Sequence, residues 1–252
     1  MNNAVSDLLN AEPRDGDAPF SAHIAPVGSA FFALGAELEQ DVFMETYGWS
    51  REEVIASYGA YDAASDFIIL VDRARASVAG AVRVVRWSDY GFPTFTETSK
   101  YPAWGCSMVD AYRHHGWDEA PTRILDVATV ALREAYRGNG MCSVAMVHAT
   151  YLHSLQLGGN RWICLLEEAV MEMMIALGMR WDRLCEMTTQ PHQGSAATVP
   201  LTITLEDAAD SAMVLVDRPG KELLFHVADL VSLPLIDLTE SGRFATLPSE
   251  LR

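Results

Sequence analysis

The chain has 252 residues and half of them are apolar, so it is long enough for one sizeable core and short for two full domains. Its formal charge of -16 argues against binding a nucleic-acid backbone, which requires a broad basic surface. No apolar run reaches the roughly 18 residues of a membrane helix, and the N-terminal MNNAVSDLLNAEPRDGDAPF lacks the pattern of a secretory signal, so we expect a cytoplasmic protein that does not bind membranes.

The cysteines and histidines do not indicate a metal site. Cys106, Cys142, Cys164 and Cys185 show neither a CxxC pair nor a close spacing. We therefore expect reduced, mostly buried thiols. No histidine spacing resembles that of a zinc site, so we expect no metal.

The charge of the chain is unevenly distributed. Residues 73–137 carry eight Arg and one Lys against seven Asp or Glu, whereas the rest of the chain is strongly acidic. If the ligand is an anion, this central segment is where it is favoured to bind.

The N-terminal part predicts a lead followed by two helices. Residues 1–25 mix Asp, Pro, Gly and Asn without periodicity, so we expect a poorly ordered lead before a single domain over residues 26–252. Apolar residues recur at helical spacing from Ala30 to Tyr47, with Ser29 as the N-cap. A second helix, Ser50 to Tyr58, begins with a capping-box pattern.

Strands and a conspicuous acid follow. Phe67 to Val71 and Val78 to Trp87 are rich in Val and Ile and are separated by a polar turn, which predicts an antiparallel hairpin. After a long irregular stretch, Ile124 to Leu132 reads ILDVATVAL, which predicts a strand with one acid, Asp126, among apolar neighbours. The strand ends before Arg137-Gly138-Asn139-Gly140.

The remaining half alternates strands and helices. A helix is predicted over Met141 to Gln156, a strand over Arg161 to Leu166 and a Met-rich helix over Glu167 to Leu177. A strand is expected near Met179 to Glu186 and another at Thr198 to Leu205. We expect a C-terminal extension from about residue 206.

The turn at residues 136–142 is suited to phosphate. A strand that enters a glycine-rich turn and then a helix presents unpaired backbone N–H groups and the positive end of the helix dipole. Glycine at 138 and 140 lets the backbone approach an anion closely. The alternative is an ordinary strand-to-helix turn that uses glycine only for its backbone angles.

The order of these elements resembles the GNAT superfamily of acyltransferases. Its acyl-CoA loop reads Arg/Gln-x-x-Gly-x-Gly/Ala, and Arg137-Gly138-Asn139-Gly140-Met141-Cys142 matches through Gly140, with Cys142 departing in the last place. The Ala-Leu-Gly-Met at 176–179 looks like the family's Leu-Gly-Phe. The resemblance spans about residues 30–205.

What the resemblance implies is an α/β GNAT fold. Its mixed, mostly antiparallel sheet is splayed where the pantetheine enters and has helices on both faces. The implied donor site comprises two strand residues and the six residues of the turn, namely Val130, Leu132, Arg137, Gly138, Asn139, Gly140, Met141 and Cys142.

Within that superfamily the N-terminal half is similar to the acyl-homoserine-lactone synthases and the long-chain N-acyl amino acid synthases. Phe43 and Trp49 lie in VFMETYGW, Asp62 in YGAYD and Arg83 in GAVR, as in those enzymes, and Asp126 takes the place of their strand glutamate. Gly59 replaces the first acid of their Asp-x-x-Asp pair. Their Ser-Arg is Ala128-Thr129 here.

Each candidate residue has a role and an alternative. Asp126 is the expected general base for the attacking amine, or else it is ion-paired to Arg123 or Arg133. Arg83 is expected to hold a carboxylate of the acceptor, or else it is bonded to Asp62.

The apolar candidates concern the acyl chain and the leaving group. Phe43 and Trp49 wall an acyl pocket or belong to the core. Met174 stands where many GNAT enzymes place the Tyr that protonates the leaving thiolate, and it lines a flexible acyl tunnel or fills the core. Tyr151 is an alternative general acid.

The sequence thus predicts an N-acyltransferase. It would move an acyl group from acyl-CoA, or from an acyl carrier protein, directly to the amine of a small amino-acid-like metabolite. The acidic chain favours CoA over an acidic carrier. Two alternatives stay open: a lactone synthase that consumes S-adenosylmethionine, and a non-catalytic sensor of acyl thioesters.

Overall fold

The computed structural model describes residues 2–11, 19–138, 140–176, 179–208, 231–238 and 244–245. The strands in this part of the chain are β1 (Phe20–Pro26), β2 (Ser65–Asp72), β3 (Ser77–Arg86), β4 (Ile124–Leu132), β5 (Arg161–Glu167), β6 (Asp182–Arg183), β7 (Gln190–His192), β8 (Ser195–Thr204), β9 (Val231–Leu238) and β10 (Phe244–Ala245). The α-helices include α1 (Asn2–Ala11), α2 (Phe32–Tyr47), α3 (Arg51–Tyr58), α4 (Pro93–Lys100), α5 (Met108–His115), α6 (Gly140–Gln156) and α7 (Glu168–Ala176).

These strands form one mixed sheet. Their order is β10-β9-β1-β2-β3-β4-β5-β8-β6, and β7 pairs with β8 off this path. The pairs β1/β9 and β4/β5 are parallel, and the other pairs are antiparallel. The predicted hairpin is confirmed as β2 and β3.

Helices cover both faces of the sheet. Because successive side chains of a strand point to opposite faces, β2 contributes to two cores. Phe67, Ile69 and Val71 pack with α2, whereas Ile68 and Leu70 pack with α6. This explains why β2 is buried along its whole length, without the alternation of a half-exposed strand.

Helix α2 lies very close to the sheet. A Cβ built on Gly35 would lie 2.4 Å from the ring of Phe67, so only glycine permits this approach. Ser29 does not cap the helix as predicted: its Oγ accepts from the N–H groups of Phe31 and Phe32, and the residue at the N-cap is Phe31. The predicted capping box of α3, Ser50 with Glu53, is confirmed.

The expectation of an unstructured lead is wrong for the parts that the structure describes. Residues 2–11 form α1, whose Val5 is 1% exposed, and residues 20–26 form β1 inside the sheet. Strand β1 lacks the apolar pattern of a buried strand because two of its buried side chains are polar. Ser21 and His23 satisfy each other by a hydrogen bond, with Ser21 Oγ and His23 Nε2 2.7 Å apart.

Two further expectations are corrected. The stretch 88–123, predicted to be irregular, contains α4 and α5, and α5 begins with a capping box of Ser107 and Asp110. The strand expected near 179–186 is reduced to the two residues of β6, followed by a 3-10 turn with Cys185 at φ 49°. None of the helices among the described residues has the length and apolarity needed to cross a membrane.

The prediction of four reduced cysteines is also wrong. Cys106 and Cys185 form a disulfide, whereas Cys142 and Cys164 are free and buried. The two bonded cysteines are 79 residues apart in sequence, and both lie in the cluster of α5 and the turn after β6. Sequence spacing could not reveal a pairing that tertiary packing creates.

Candidate active site

Asp126 lies where β4 and β5 stop pairing. The two strands pair only over residues 124–126 and 161–163. Beyond this point β5 continues against β8 as far as Glu167, and β4 continues against β3 as far as Leu132. A wedge-shaped gap therefore opens between β4 and β5, and its narrow end lies at Asp126. We call this gap the β4–β5 cleft.

A bulge in β4 adjoins the narrow end of the cleft. Arg83 lies opposite Thr129 and Val84 lies opposite Val127, so Ala128 has no counterpart on β3. A residue inserted in this way bends its strand. The bulge lies two residues beyond the last pair between β4 and β5.

The carboxyl group of Asp126 is completely buried. The Thr94 N–H donates to its Oδ2 at 2.7 Å, and the Thr94 hydroxyl donates to its Oδ1 at 2.9 Å. Burial raises the pKa of Asp126 from 3.8 to about 7, and the two bonds from Thr94 offset part of that increase. In the described chain neither Arg123 nor Arg133 pairs with it, and Arg133 binds Asp41 at 3.0 Å.

The same contact gives Asp126 a structural role. Thr94 is in the first turn of α4, where backbone N–H groups have no partner within the helix. Phe92, at the N-cap, makes no side-chain capping bond. Asp126 therefore caps α4 from a distant strand, with its charge at the positive end of the helix dipole.

The donor-site residues of β4 border the cleft. Strand β4 pairs with β3 through residues such as Ala131, which lies opposite Ala81. Just after β4, the Arg133 N–H continues this pairing and donates to Ala79 O at 3.0 Å, so the backbone groups of Ala131 and Arg133 point toward β3. Backbone groups of alternate residues point to opposite sides of a strand, so those of Val130 and Leu132 point away from β3 and toward the cleft.

The turn after β4 is described except for one residue. Gly138 has φ of +77°, a conformation that favours glycine, and α6 begins at Gly140, so Gly140 and Met141 are in its first turn. Asn139 lies outside the described residues. Cys142 is buried against the core below α6, so only its backbone could meet a ligand.

Arg137 is exposed, and its side chain folds back over the wide end of the cleft. Its Nε donates to Leu132 O at 2.9 Å, and its Nη2 donates to Thr46 Oγ1 at 2.7 Å. Tyr47, the next residue of α2, donates its hydroxyl to Glu167 Oε1 at 3.0 Å. The end of α2 thus contacts both edges of the cleft at its wide end.

A small apolar cavity of about 30 Å³ lies along the cleft on the α6 side. Met174, predicted to line an acyl tunnel, is one of its walls, together with Met146, Cys164, Trp162 and Trp181. Burial, with a contribution from Asp126, raises the pKa of the Cys164 thiol, so this cysteine is held as a neutral apolar group.

Phe43 and Trp49 belong to an aromatic cluster at the end of α2. The Phe43 ring meets those of Tyr47 and Trp49 at 5.4 Å and that of Tyr58 at 6.2 Å, all edge to face. Trp49 Nε1 donates to Gln193 O at 3.0 Å, which ties the cluster to the β7–β8 hairpin. Phe43 and Trp49 are half-buried, so they are not simply core residues.

Arg83 is fully engaged by protein groups. Its Nε and Nη2 donate to the two oxygens of Glu39 at 3.0 and 2.6 Å, and its Nη1 donates to Asp62 at 2.6 Å. The alternative that the sequence left open, a bond from Arg83 to Asp62, is therefore formed. The Thr129 hydroxyl also donates to Glu39, and the Arg83 guanidinium lies 4.6 Å from the centre of the Phe67 ring.

Sequence reasoning missed three groups of this site. Glu39 carried a sequence signal, because it is an acid beside the apolar stripe of α2. In the structure its side chain is 0% exposed. Tyr58, 8% exposed above Arg83, and Thr94 carried none, since their neighbours come from distant segments. No cluster of three or more His, Cys, Asp or Glu that could hold a metal occurs among the described residues.

No family model matches the chain, and no curated protein matches its sequence. Solved structures do match its fold. A CoA-dependent acyl-homoserine lactone synthase, BjaI, crystallised with SAM and isopentyl-CoA, is 16% identical with a TM-score of 0.56, over 84% of this chain and 92% of that one. FeeM, an N-acyl amino acid synthase from uncultured soil microbes, is 10% identical with a TM-score of 0.52, over 80% and 99%.

A third structure, the AHL synthase LasI, is 20% identical with a TM-score of 0.50, over 75% of this chain and 91% of that one. At such identities the likeness concerns the path of the backbone. The chain has the GNAT fold, with a mixed, mostly antiparallel sheet and helices on both faces, which it shares with acyl-homoserine-lactone synthases and an N-acyl amino acid synthase.

Proposed function

We propose that this protein is an N-acyltransferase that moves an acyl group from a pantetheine thioester directly to the amine of a small metabolite. One observation carries the proposal: a buried carboxyl group with a pKa raised to about 7, Asp126, lies at the narrow end of the β4–β5 cleft. The solved structures of the same fold include a CoA-dependent synthase, BjaI, crystallised with isopentyl-CoA.

The cleft suits an extended chain that carries amide groups. The backbone groups of Val130 and Leu132 face the cleft and could pair with a pantetheine arm as a strand would, once Arg137 releases Leu132 O. At the wide end, the N–H groups around Gly138 and the start of α6 would hold the phosphates of the donor. In our proposal Arg137, Asn139, Gly140, Met141 and Cys142 form the rest of that turn.

Arg137 would help in either of two ways. Its guanidinium lies at the turn and can turn toward a phosphate, because its bonds to Leu132 and Thr46 are exposed to solvent. Alternatively it holds α2 against the cleft. The acidic chain favours CoA as donor over an acyl carrier protein, which is itself acidic.

Asp126 is proposed as the general base. An ammonium group must lose a proton before its nitrogen attacks the thioester carbon, and a base whose pKa is near the working pH does this well. The amine proton would go to Asp126, the C–N bond would form, and the C–S bond would break to release the thiolate. No covalent acyl-enzyme is required.

The leaving thiolate has no tyrosine at the family's place. Met174 stands there and lines the apolar cavity, which would have to widen beyond its volume of about 30 Å³ to receive an acyl chain. A thiol of pKa about 8.5 leaves tolerably without an acid. Tyr151, half-buried with its ring 6.3 Å from that of Trp162, is the alternative donor.

The acceptor would bind on the other face, near the aromatic cluster and Asp62, whose side chain is 44% exposed. Because Arg83 already binds two carboxylates, we propose that it positions Asp62 and Glu39 instead of binding substrate itself. The exposed part of Asp62 would meet the amine of an amino-acid-like acceptor, and Phe43 and Trp49 would contact its body.

A sensor of acyl thioesters is the second candidate function. It is favoured by Met174 and by Thr94, which already occupies both oxygens of Asp126. A lactone synthase is the third, and it requires consumption of S-adenosylmethionine.

One experiment separates these functions. The protein is mixed with acyl-CoA esters of several lengths and a panel of amines that includes S-adenosylmethionine, and products are read by mass spectrometry. Acylated amine that disappears in Asp126→Asn, but not in the exposed control Asp118→Asn, supports the transferase. Tight CoA binding without product supports the sensor, and release of methylthioadenosine supports the lactone synthase. No binding of any thioester would refute all three.

A further inference from the structure

A cavity of about 480 Å³ lies away from the β4–β5 cleft. It is formed by the chain that leaves β3, residues 86–90, by the start of β4 and by three alanines before β2, Ala60, Ala63 and Ala64. The cleft widens toward the opposite end of β4. Leu125, 1% exposed, lines this cavity, and the next side chain, Asp126, points to the other face of the sheet.

A fixed arginine lines the cavity. Arg86 Nη2 lies 3.3 Å from Asp66 Oδ1, and Asp66 Oδ2 lies 2.9 Å from His153 Nε2. The side chains of Asp66 and His153 are 5% and 6% exposed, whereas that of Arg86 is 41% exposed. The buried pair therefore anchors a guanidinium that still faces solvent.

Most of the hydrogen-bonding capacity of Arg86 is unused by the described protein. A guanidinium has five N–H donors, and one long bond to Asp66 is what the described residues provide. Its Nε is enclosed and has no partner among those residues. The terminal nitrogens Nη1 and Nη2, and not the enclosed Nε, are the donor pair that could bind the two oxygens of a carboxylate.

Aromatic and small side chains complete the cavity. Trp87 is 39% exposed and Tyr90 is 67% exposed, although large aromatic side chains are usually more buried. Opposite them, the alanines leave room because they lack longer side chains. A flat apolar body would cover both rings and remove their surface from water.

We propose that this cavity is a second ligand site, which takes a small carboxylate with a flat aromatic body. The carboxylate would bind Arg86, and the ring would lie against Trp87 and Tyr90. A phosphate is a poorer fit than a carboxylate, because Arg86 already pairs with Asp66, Asp89 also lines the cavity, and these two acids repel a dianion more strongly than a monoanion. A volume of about 480 Å³ suits one small molecule.

The test is calorimetric titration of the full chain, without any acyl donor, with indole-3-acetate and with its uncharged analogue indole-3-acetamide. Tighter binding of the acid, by about tenfold or more, is expected from a charge-assisted contact. Arg86→Gln should remove that preference. Arg113→Gln, which changes an exposed arginine elsewhere, should leave it intact.

A second variant tests the cavity without removing Arg86, the ion-pair partner of the buried Asp66. Ala63 is exposed, so Ala63→Phe should fill the cavity without affecting the core, and should abolish binding of both probes. Equal binding of acid and amide, binding that survives Ala63→Phe, or no heat at millimolar probe would overturn the proposal. Because no thioester is present, these results are independent of whether the protein is an acyltransferase.

Discussion

Replacing Asp126 with Asn should stabilise the protein at alkaline pH and abolish acyl transfer. The pKa of Asp126 is about 7 in the folded chain and near its ordinary 3.8 in the unfolded chain. The folded state thus binds the Asp126 proton more tightly than the unfolded state does. The stabilisation that protonated Asp126 gives to the folded chain is complete below pH 3.8 and is lost as pH rises through 7. About three pKa units correspond to about 4 kcal/mol.

The Asp126→Asn variant does not lose stability in this way as pH rises, because asparagine does not ionise. It also keeps the cap of α4. Its amide oxygen can accept from the Thr94 N–H, and its amide nitrogen can donate to the Thr94 hydroxyl. The difference in unfolding free energy between variant and native protein should therefore increase by about 4 kcal/mol between pH 4 and pH 8. For a chain of this size that corresponds to roughly 10 °C in melting temperature.

The assay is denaturant unfolding of both proteins from pH 4 to 8, with Asp118→Asn as the control at an exposed aspartate. Other titrating groups are common to both proteins and cancel in the difference. In parallel, kcat/KM of the native protein should rise with pH along a limb with an apparent pKa near 7. A difference that does not change with pH would refute the raised pKa, and an active asparagine variant would refute the role as base.

Three other changes test the fold and the donor site. Gly138→Ala should lose about 1 kcal/mol, because its φ of +77° disfavours a Cβ, and should weaken CoA binding in a titration; unchanged affinity would argue against phosphate contact there. Arg83→Gln should destabilise the chain by about 3–5 kcal/mol in urea, since Glu39 keeps a buried charge without its partner, and a loss below about 1 kcal/mol would mean that water reaches Glu39. Reducing the disulfide of Cys106 and Cys185 should cost up to about 4–5 kcal/mol in the loop-entropy model, given a separation of 79 residues, and an unchanged melting temperature in reductant would contradict it.

Much of the fold could be predicted because its signals are local. The β2–β3 hairpin, β4 and the turn at Gly138 each depend on residues within a few positions of one another. Helix α5 also carries a local signal, the capping box at Ser107, but eight residues are too few for a clear apolar periodicity. Strand β1 could not be found in this way, since its polar residues are satisfied by contacts inside the sheet.

The candidate site was predictable only in part. Asp126 stood out as an acid within an apolar strand, and the turn stood out by its glycines. Other parts of the site join residues that are 32 to 120 positions apart in the sequence. They are the cap of α4 by Asp126, the bidentate pair of Arg83 with Glu39, and the contacts of α2 with both edges of the cleft. No periodicity or motif encodes such distances.

The sequence by itself determined which segments become strands and helices, where glycine permits a turn, and which acid lies in apolar surroundings, because these depend on backbone preferences and on the spacing of apolar side chains. Only the tertiary structure decided that β5 leaves β4 at Asp126, that this acid is buried deeply enough to shift its pKa, and that Arg83 is already occupied. Burial and charge pairing depend on which distant segments meet, and packing of the whole chain sets that.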